Sequence, residues 1–233
     1  MKNFIHYILF ITFLILTFVL GEVFSLRLNH EKILSKKVII SPIDKNFIEQ
    51  NEVLKLLNFK DTLLGNIDIT KLEKKLKNNK FIANAQVYKD LNNNVFAYIE
   101  QYKPIARVIS STSYYIDKDG IKRPLSNHYT ENVILVFGNL DKNKQKQVYQ
   151  LLKKIINDNI LKELITEVHI DNYGNYKLRL KNFSPTISFG NNKNIGEKFI
   201  KLKAIYSYLT KYKLFKKYKK INLEYNNQVV CKK

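Results

Sequence analysis

Residues 4–20 read FIHYILFITFLILTFVL and carry no Asp, Glu, Lys or Arg, and nothing later in the chain resembles them. At about 1.5 Å of helical rise per residue the stretch covers roughly 25 Å, and residues 21–26 extend it past the hydrocarbon thickness of a bilayer. The sequence therefore predicts one anchor followed by a large hydrophilic body. A cleavable signal peptide is the competing reading. Lys2 supplies its basic start, and Val19 with Gly21 a weak cleavage site. The apolar run is longer than a usual signal core, and residues 22–28 hold no clear small-residue cluster, which favours a retained helix. Arg27, Lys32, Lys36 and Lys37 follow the run and only Lys2 precedes it, against the positive-inside tendency. Long domains translocate largely regardless of that count.

Beyond the apolar run, enough of the 233 residues remain for two small domains or one of medium size with a real core. The 12% aromatic content argues against disorder. A net charge of +20 invites a nucleic-acid reading. The excess is nearly all Lys, however, spread among Asn, Ile and Tyr through the whole chain rather than set in a stripe. The densest cluster, residues 211–220, alternates with Tyr212, Leu214, Phe215 and Tyr218, as a solvated helix end with packed aromatics does. Attraction to anionic lipid headgroups is a secondary effect of such charge. No nucleic-acid partner is expected.

Period and turn signals divide the body. Val38-Ile39-Ile40 predicts a strand stopped by Ser41-Pro42. Val53, Leu54 and Leu57 share helical spacing. Asp68 caps a second helix lined by Ile69, Leu72 and Leu76. Strands over residues 82–89 and 95–102 flank a turn at 90–94. Strand, helix, helix, strand, strand predicts a three-stranded sheet with helices on one face. From Pro104 the pattern turns to strands, at 105–109, 114–116, 121–123, 133–137, 164–170, 176–180 and 186–189. Helices are predicted over 143–158 and 196–212, with closing strands at 221–225 and 228–231.

Catalytic patterns do not emerge. His6, His30, His128 and His169 have no ligand partner at i+3 or i+4. His169 reads as a structural histidine, with pairing to a carboxylate as the alternative. No Gly-rich loop precedes a helix, no GxSxG occurs, and the lone Cys231 excludes an intramolecular disulfide or a Cys-only metal site. Cys231 reads as a small apolar residue of a terminal strand. Asp117 and Asp119 read as turn residues. No enzyme activity, catalytic residue, cofactor or metal is expected.

Four stretches together resemble the FtsQ/DivIB family of bacterial cell-division proteins. Ile69-Thr70-Lys71-Leu72 through Phe81-Ile82-Ala83-Asn84-Ala85-Gln86-Val87 is similar to the family's helix and "V-x-x-A-x-V" strand. Glu100-Gln101-Tyr102-Lys103-Pro104-Ile105-Ala106 resembles its "E-x-x-P-x-A" junction, with the spacing departing by one or two residues. Tyr115-Ile116-Asp117-Lys118-Asp119-Gly120 resembles its "L-I-D-x-x-G" hairpin. Ile221-Asn222-Leu223-Glu224-Tyr225 resembles its closing "D-L-R-Y" strand, with Asn222 for Asp and Glu224 for Arg. The stretch 227–231 is similar to that of Bacteroidetes members.

The resemblance implies an α+β fold: a cytoplasmic start (1–3), a transmembrane helix (4–21), a connector (22–36), a POTRA domain (37–108), a mixed β domain with helices (109–226) and a C-terminal tail (227–233). It implies a single-pass inner-membrane protein with a cytoplasmic N-terminus and a periplasmic body. Such a protein serves as a divisome scaffold binding FtsB- and FtsL-like partners. A POTRA-bearing protein of outer-membrane assembly or transport is the alternative. The family's partner surface is the edge of its last strands, which places Glu224, Tyr225 and Asn227 on it. Ile221 and Leu223 are expected to contribute to the same edge, by strand addition with Tyr225 as the aromatic anchor.

Overall fold

The computed structural model describes residues 2–30, 33, 35–43, 45–58 and 66–233. Helix α1 (Lys2–His30) contains Ile5–Arg27, a segment long and apolar enough to cross a membrane. It takes in residues 22–30 of the expected connector, since no Pro or turn cluster interrupts them and a lone Gly21 is tolerated in a helix. Residues 31, 32 and 34 of that connector lie outside the described residues.

Contacts divide the rest between Gln101 and Tyr102. The first unit runs β1 (Ser35–Ser41), α2 (Gln50–Leu56), α3 (Ile69–Lys77), β2 (Ile82–Lys89) and β3 (Asn94–Gln101), the predicted order. Its sheet has the order β1-β3-β2, with β1 parallel to β3 and β2 antiparallel to it. Asp68 begins α3 by accepting from the Lys71 N–H at 2.9 Å. Val53 of α2 and Leu76 of α3 bury fully with Val95, Ala97 and Ile99 of β3. Each such side chain contributes about 1.5–3 kcal/mol. Gln101 is buried and satisfied: its Oε1 accepts from Phe47 N–H at 2.6 Å, and its Nε2 donates to Lys45 C=O at 3.0 Å.

The second unit contains β4 (Pro104–Ile109), β5 (Tyr114–Asp117), β6 (Lys122–Arg123), β7 (Ile134–Phe137), α4 (Lys142–Ile156), α5 (Leu161–Leu164), β8 (Ile165–Ile170), β9 (Tyr176–Leu180), β10 (Phe183–Gly190), α6 (Ile195–Lys211), β11 (Lys220–Asn222) and β12 (Val230–Lys232). All nine strands form one sheet, in the order β12-β11-β10-β9-β8-β7-β4-β5-β6. Parallel neighbours need long crossovers, and the two main helices supply them: α4 joins β7 to β8, and α6 joins β10 to β11. Val148, Leu151, Leu152 and Ile155 of α4 are fully buried in one cluster with Phe199 and Leu202 of α6. On β9 the alternation is strict, with Leu178 inside and Lys177 and Arg179 exposed. Helices therefore cover one face of the sheet, while the other is exposed at Lys177 and Arg179 and buried at Tyr115 and Asp117.

Some expected boundaries move. The division at 108–109 falls inside β4, because Ala106 and Val108 pair with β5 and β7 of the larger sheet. The short α5 has no periodic signal in the sequence. The strand expected over 221–225 is only Lys220–Asn222, and the closing strand expected over 228–231 is Val230–Lys232, so that part of the expected tail belongs to the sheet.

Three hairpins share one turn chemistry. Asp90, Asp117 and Asp171 each accept from the N–H groups two and four residues on, at 2.8–3.0 Å. Each donates its own N–H to the carbonyl of the residue four on. The fourth position is left-handed, at Asn93 (φ 62), Gly120 (φ 79) and Gly174 (φ 84), where Gly or Asn fits best. Asp117 and Asp119 are thus turn residues. Asp117 is buried and also takes Arg123 Nε at 2.7 Å.

Candidate functional site

The end of the large sheet is assembled by β10, β11, β12 and α6. Strand β11 lies parallel to β10, with Ile187 beside Ile221, and antiparallel to β12, with Ile221 beside Cys231. It is hydrogen-bonded on both sides, so the expected edge at 221–225 is corrected: the open edge is β12. Alternation explains the assignment of side chains. Ile221 is fully buried, as is Leu223, whose N–H still reaches Ser188 C=O at 2.9 Å. Neither presents a side chain to a partner; both anchor the strands behind the edge. Val230 points outward at 43% exposed. Cys231 packs against the core as the sequence suggests, and burial pushes its thiol up.

After β11 the chain turns because Asn222 Oδ1 accepts from Glu224 N–H at 2.8 Å. Glu224 then lies across Gly190, where an added Cβ would meet its Cγ at 2.7 Å. Gly190 also has φ +71, so both space and backbone require glycine there. Lys201 of α6 donates from Nζ to Tyr225 C=O at 2.7 Å and pairs with Glu197 at 3.2 Å. Lys198 is buried, donates to Asn191 C=O at 2.8 Å, and sits 5.2 Å from the Phe189 ring centroid. Burial holds its ammonium below the usual range, with Glu224 acting in the opposite sense. A polar cavity of about 350 Å³ opens here between the start of α6 and Glu224.

Of the five expected surface residues, Glu224, Tyr225 and Asn227 are exposed. Tyr225 is 50% exposed, its carbonyl fixed by Lys201 while its ring stays open to solvent. Asn227 has φ 55, a conformation Asn tolerates. The sequence predicts the closing strand at 228–231, helped by the β-branched pair Val229-Val230, but the expected site residues include none of β12. The contribution of α6, through Lys198 and Lys201, had no local signal.

Chemistry of another kind does not assemble. His169 Nε2 lies 2.7 Å from Glu167 Oε2, and its ring stacks on Phe137 at 4.5 Å, so it is a satisfied structural histidine whose partner is a carboxylate. Among the described residues no three His, Cys, Asp or Glu side chains gather into a metal-binding group.

Comparisons with known proteins bear on both units. A family model described as FtsQ/DivIB, C-terminal related, matches residues 103–232, and a POTRA-like domain model matches residues 36–100. The cell division protein DivIB of Bacillus subtilis (strain 168) is 33% identical over 84 residues, covering 35% of this chain and 32% of the relative. The chain thus spans about a third of the length of that curated relative. A solved structure of the major extracytoplasmic domain of DivIB from Geobacillus stearothermophilus is 15% identical. That match covers 34% of this chain and 71% of that one, with a TM-score of 0.26.

Proposed function

Because the chain belongs to the FtsQ/DivIB family of cell-division proteins, we propose that it is a membrane-anchored divisome scaffold that captures division partners at the edge strand β12. The observation that carries this reading is the open β12 edge, beside which Tyr225 and Val230 are exposed. A partner segment in extended form adds to β12 by exchanging backbone hydrogen bonds, and exposed side chains set its register. Tyr225 offers apolar area at small rotamer cost. Glu224 and Asn227 flank it. Lys219, Lys220, Lys232 and Lys233 surround the strand, so acidic residues on the partner speed encounter more than they add affinity.

In this reading α1 is a single-pass anchor in the cell inner membrane, residues ahead of it are cytoplasmic and the body is periplasmic. The partners are FtsB- and FtsL-like proteins. The protein needs no cofactor and catalyses no reaction. The FtsQ/DivIB-related match over residues 103–232, following a POTRA-like unit, favours this role over outer-membrane assembly.

The test places a photo-crosslinking residue at Val230, Tyr225 or Tyr173 of the full chain in dividing cells. Tyr173 is the control, 91% exposed on the β8–β9 turn. Capture of small single-pass coiled-coil division proteins from Val230 and Tyr225, but not from Tyr173, is the expected result. Equal capture from all three positions, or none from Val230 and Tyr225, overturns the reading.

A further inference from the structure

Arg107 lies within β4, between Ala106 and Val108, both fully buried against the helices, so its side chain belongs to the opposite face. Its Nε is enclosed and has no acceptor. A buried donor without a partner is costly, and an arginine fork is built for planar carboxylates. Arg107 borders a groove of about 710 Å³ at the N-terminal ends of the parallel strands β4, β7 and β8. Ile105, Val133 and Leu135 give the groove an aliphatic wall, and Lys162 and Lys181 stand on its lining.

The acidic side chains there do not answer these cations. Glu167 faces His169 at 2.7 Å, and Glu131 is engaged in other interactions. Among the described residues neither Lys162 nor Lys181 has a carboxylate within ion-pair distance, and neither has Arg107. The lining therefore carries three cations, Arg107, Lys162 and Lys181, and three carboxylates, of which Glu163 is the one not engaged elsewhere. We propose that this groove is a second docking site, separate from β12, which takes a peptide segment of a partner protein carrying a carboxylate beside an aliphatic side chain. The carboxylate meets the Arg107 guanidinium, and the aliphatic group lies on Ile105, Val133 and Leu135.

The test uses the full chain in detergent micelles and a fluorescein-labelled pentapeptide alternating leucine and aspartate. An isosteric control has asparagine in place of aspartate. Fluorescence anisotropy is expected to show the aspartate peptide binding about 10- to 100-fold more tightly, the range of a charge-assisted hydrogen bond. Arg107→Met should remove that preference and Lys162→Met with Lys181→Met should reduce it, whereas Tyr225→Ala should leave it intact. Equal binding of the two peptides to wild type overturns the proposal. So does full retention of the preference in a folded Arg107→Met protein. If Arg107→Met does not fold, the double lysine variant decides, and an unchanged preference there counts against the groove. Loss of the preference in Tyr225→Ala would assign the peptide to the β12 edge instead.

Discussion

The two ends of the nine-stranded sheet are built differently. At one end, β6 has two residues and is followed by Pro124, which has no N–H to offer. Arg123 is tied to the buried Asp117 at 2.7 Å, Lys122 Nζ lies 4.0 Å over the Tyr114 ring, and Tyr102 hydroxyl donates to Pro124 C=O at 2.9 Å. Side chains and chain direction together blunt that edge against further pairing. At the other end, β12 has three residues and no proline near it, and the exposed Val230 and Tyr225 accompany it. Its supports lie behind it, in Ile221, Leu223 and the lysines of α6. One edge is closed by local pairing and the other is held open by a rigid backing, which makes β12 the end suited to a partner strand.

The largest expected effect tests that backing. Ile221→Ala removes a fully buried side chain and should destabilise the protein by about 2–5 kcal/mol in denaturant unfolding. Val230→Ala, on the exposed side of the edge, should shift stability by no more than about 0.5 kcal/mol. Similar costs at both positions would mean that β11 is not the interior strand. Tyr225→Ala sharpens the contrast from the binding side. Partner capture should weaken about tenfold or more while the unfolding midpoint stays within the spread of surface substitutions. Unaltered affinity would remove Tyr225 from the interface and leave the backbone of β12 as its main element.

Much of this arrangement is legible in the sequence, where local signals agree with tertiary context. The strict alternation of Tyr176–Leu180, the stripe of Val148, Leu151, Leu152 and Ile155, and the Asp–Gly turns each specify their own element. The order of strands and helices in the first unit follows from the same signals. Strand neighbours are different. Ile221 looks equally suited to an edge or an interior strand, because what decides is whether residues 230–232 fold back beside it. That pairing spans residues 223–229, which carry no Asp–Gly signal. Lys198 and Lys201 are further still from local pattern: on the sequence they belong to a lysine-rich helix face, and only the crossover from β10 to β11 brings them to Asn191 and Tyr225. Arg107 likewise shows nothing in one dimension of its enclosed Nε.

The smallest effect separates the turns of the interior hairpins from the connection that leads to β12. Asp171 has its carboxyl held below the usual range, first by the Asn175 N–H, and Asp90 is lowered first by the Asn94 side chain. A depressed carboxyl means that the folded state binds fewer protons than the unfolded chain as pH falls below the ordinary Asp range, near 4. These two groups therefore contribute stability above that value and lose it as pH drops through their folded pKa. The β11–β12 connection is held instead by Asn222 Oδ1 to Glu224 N–H and by Lys201 to Tyr225 C=O, neither of which depends on an Asp carboxylate. Unfolding midpoints measured from about pH 6 downward should be nearly flat until this range and then decline. Asp171→Asn keeps a side-chain oxygen for the turn but cannot titrate, so its decline should be shallower than that of wild type. Parallel curves for the two proteins would mean that acid acts elsewhere in the fold. Crosslinking yield from Val230 should persist to lower pH than the integrity of the β8–β9 turn, because the hydrogen bonds that shape the edge outlast the Asp-dependent ones.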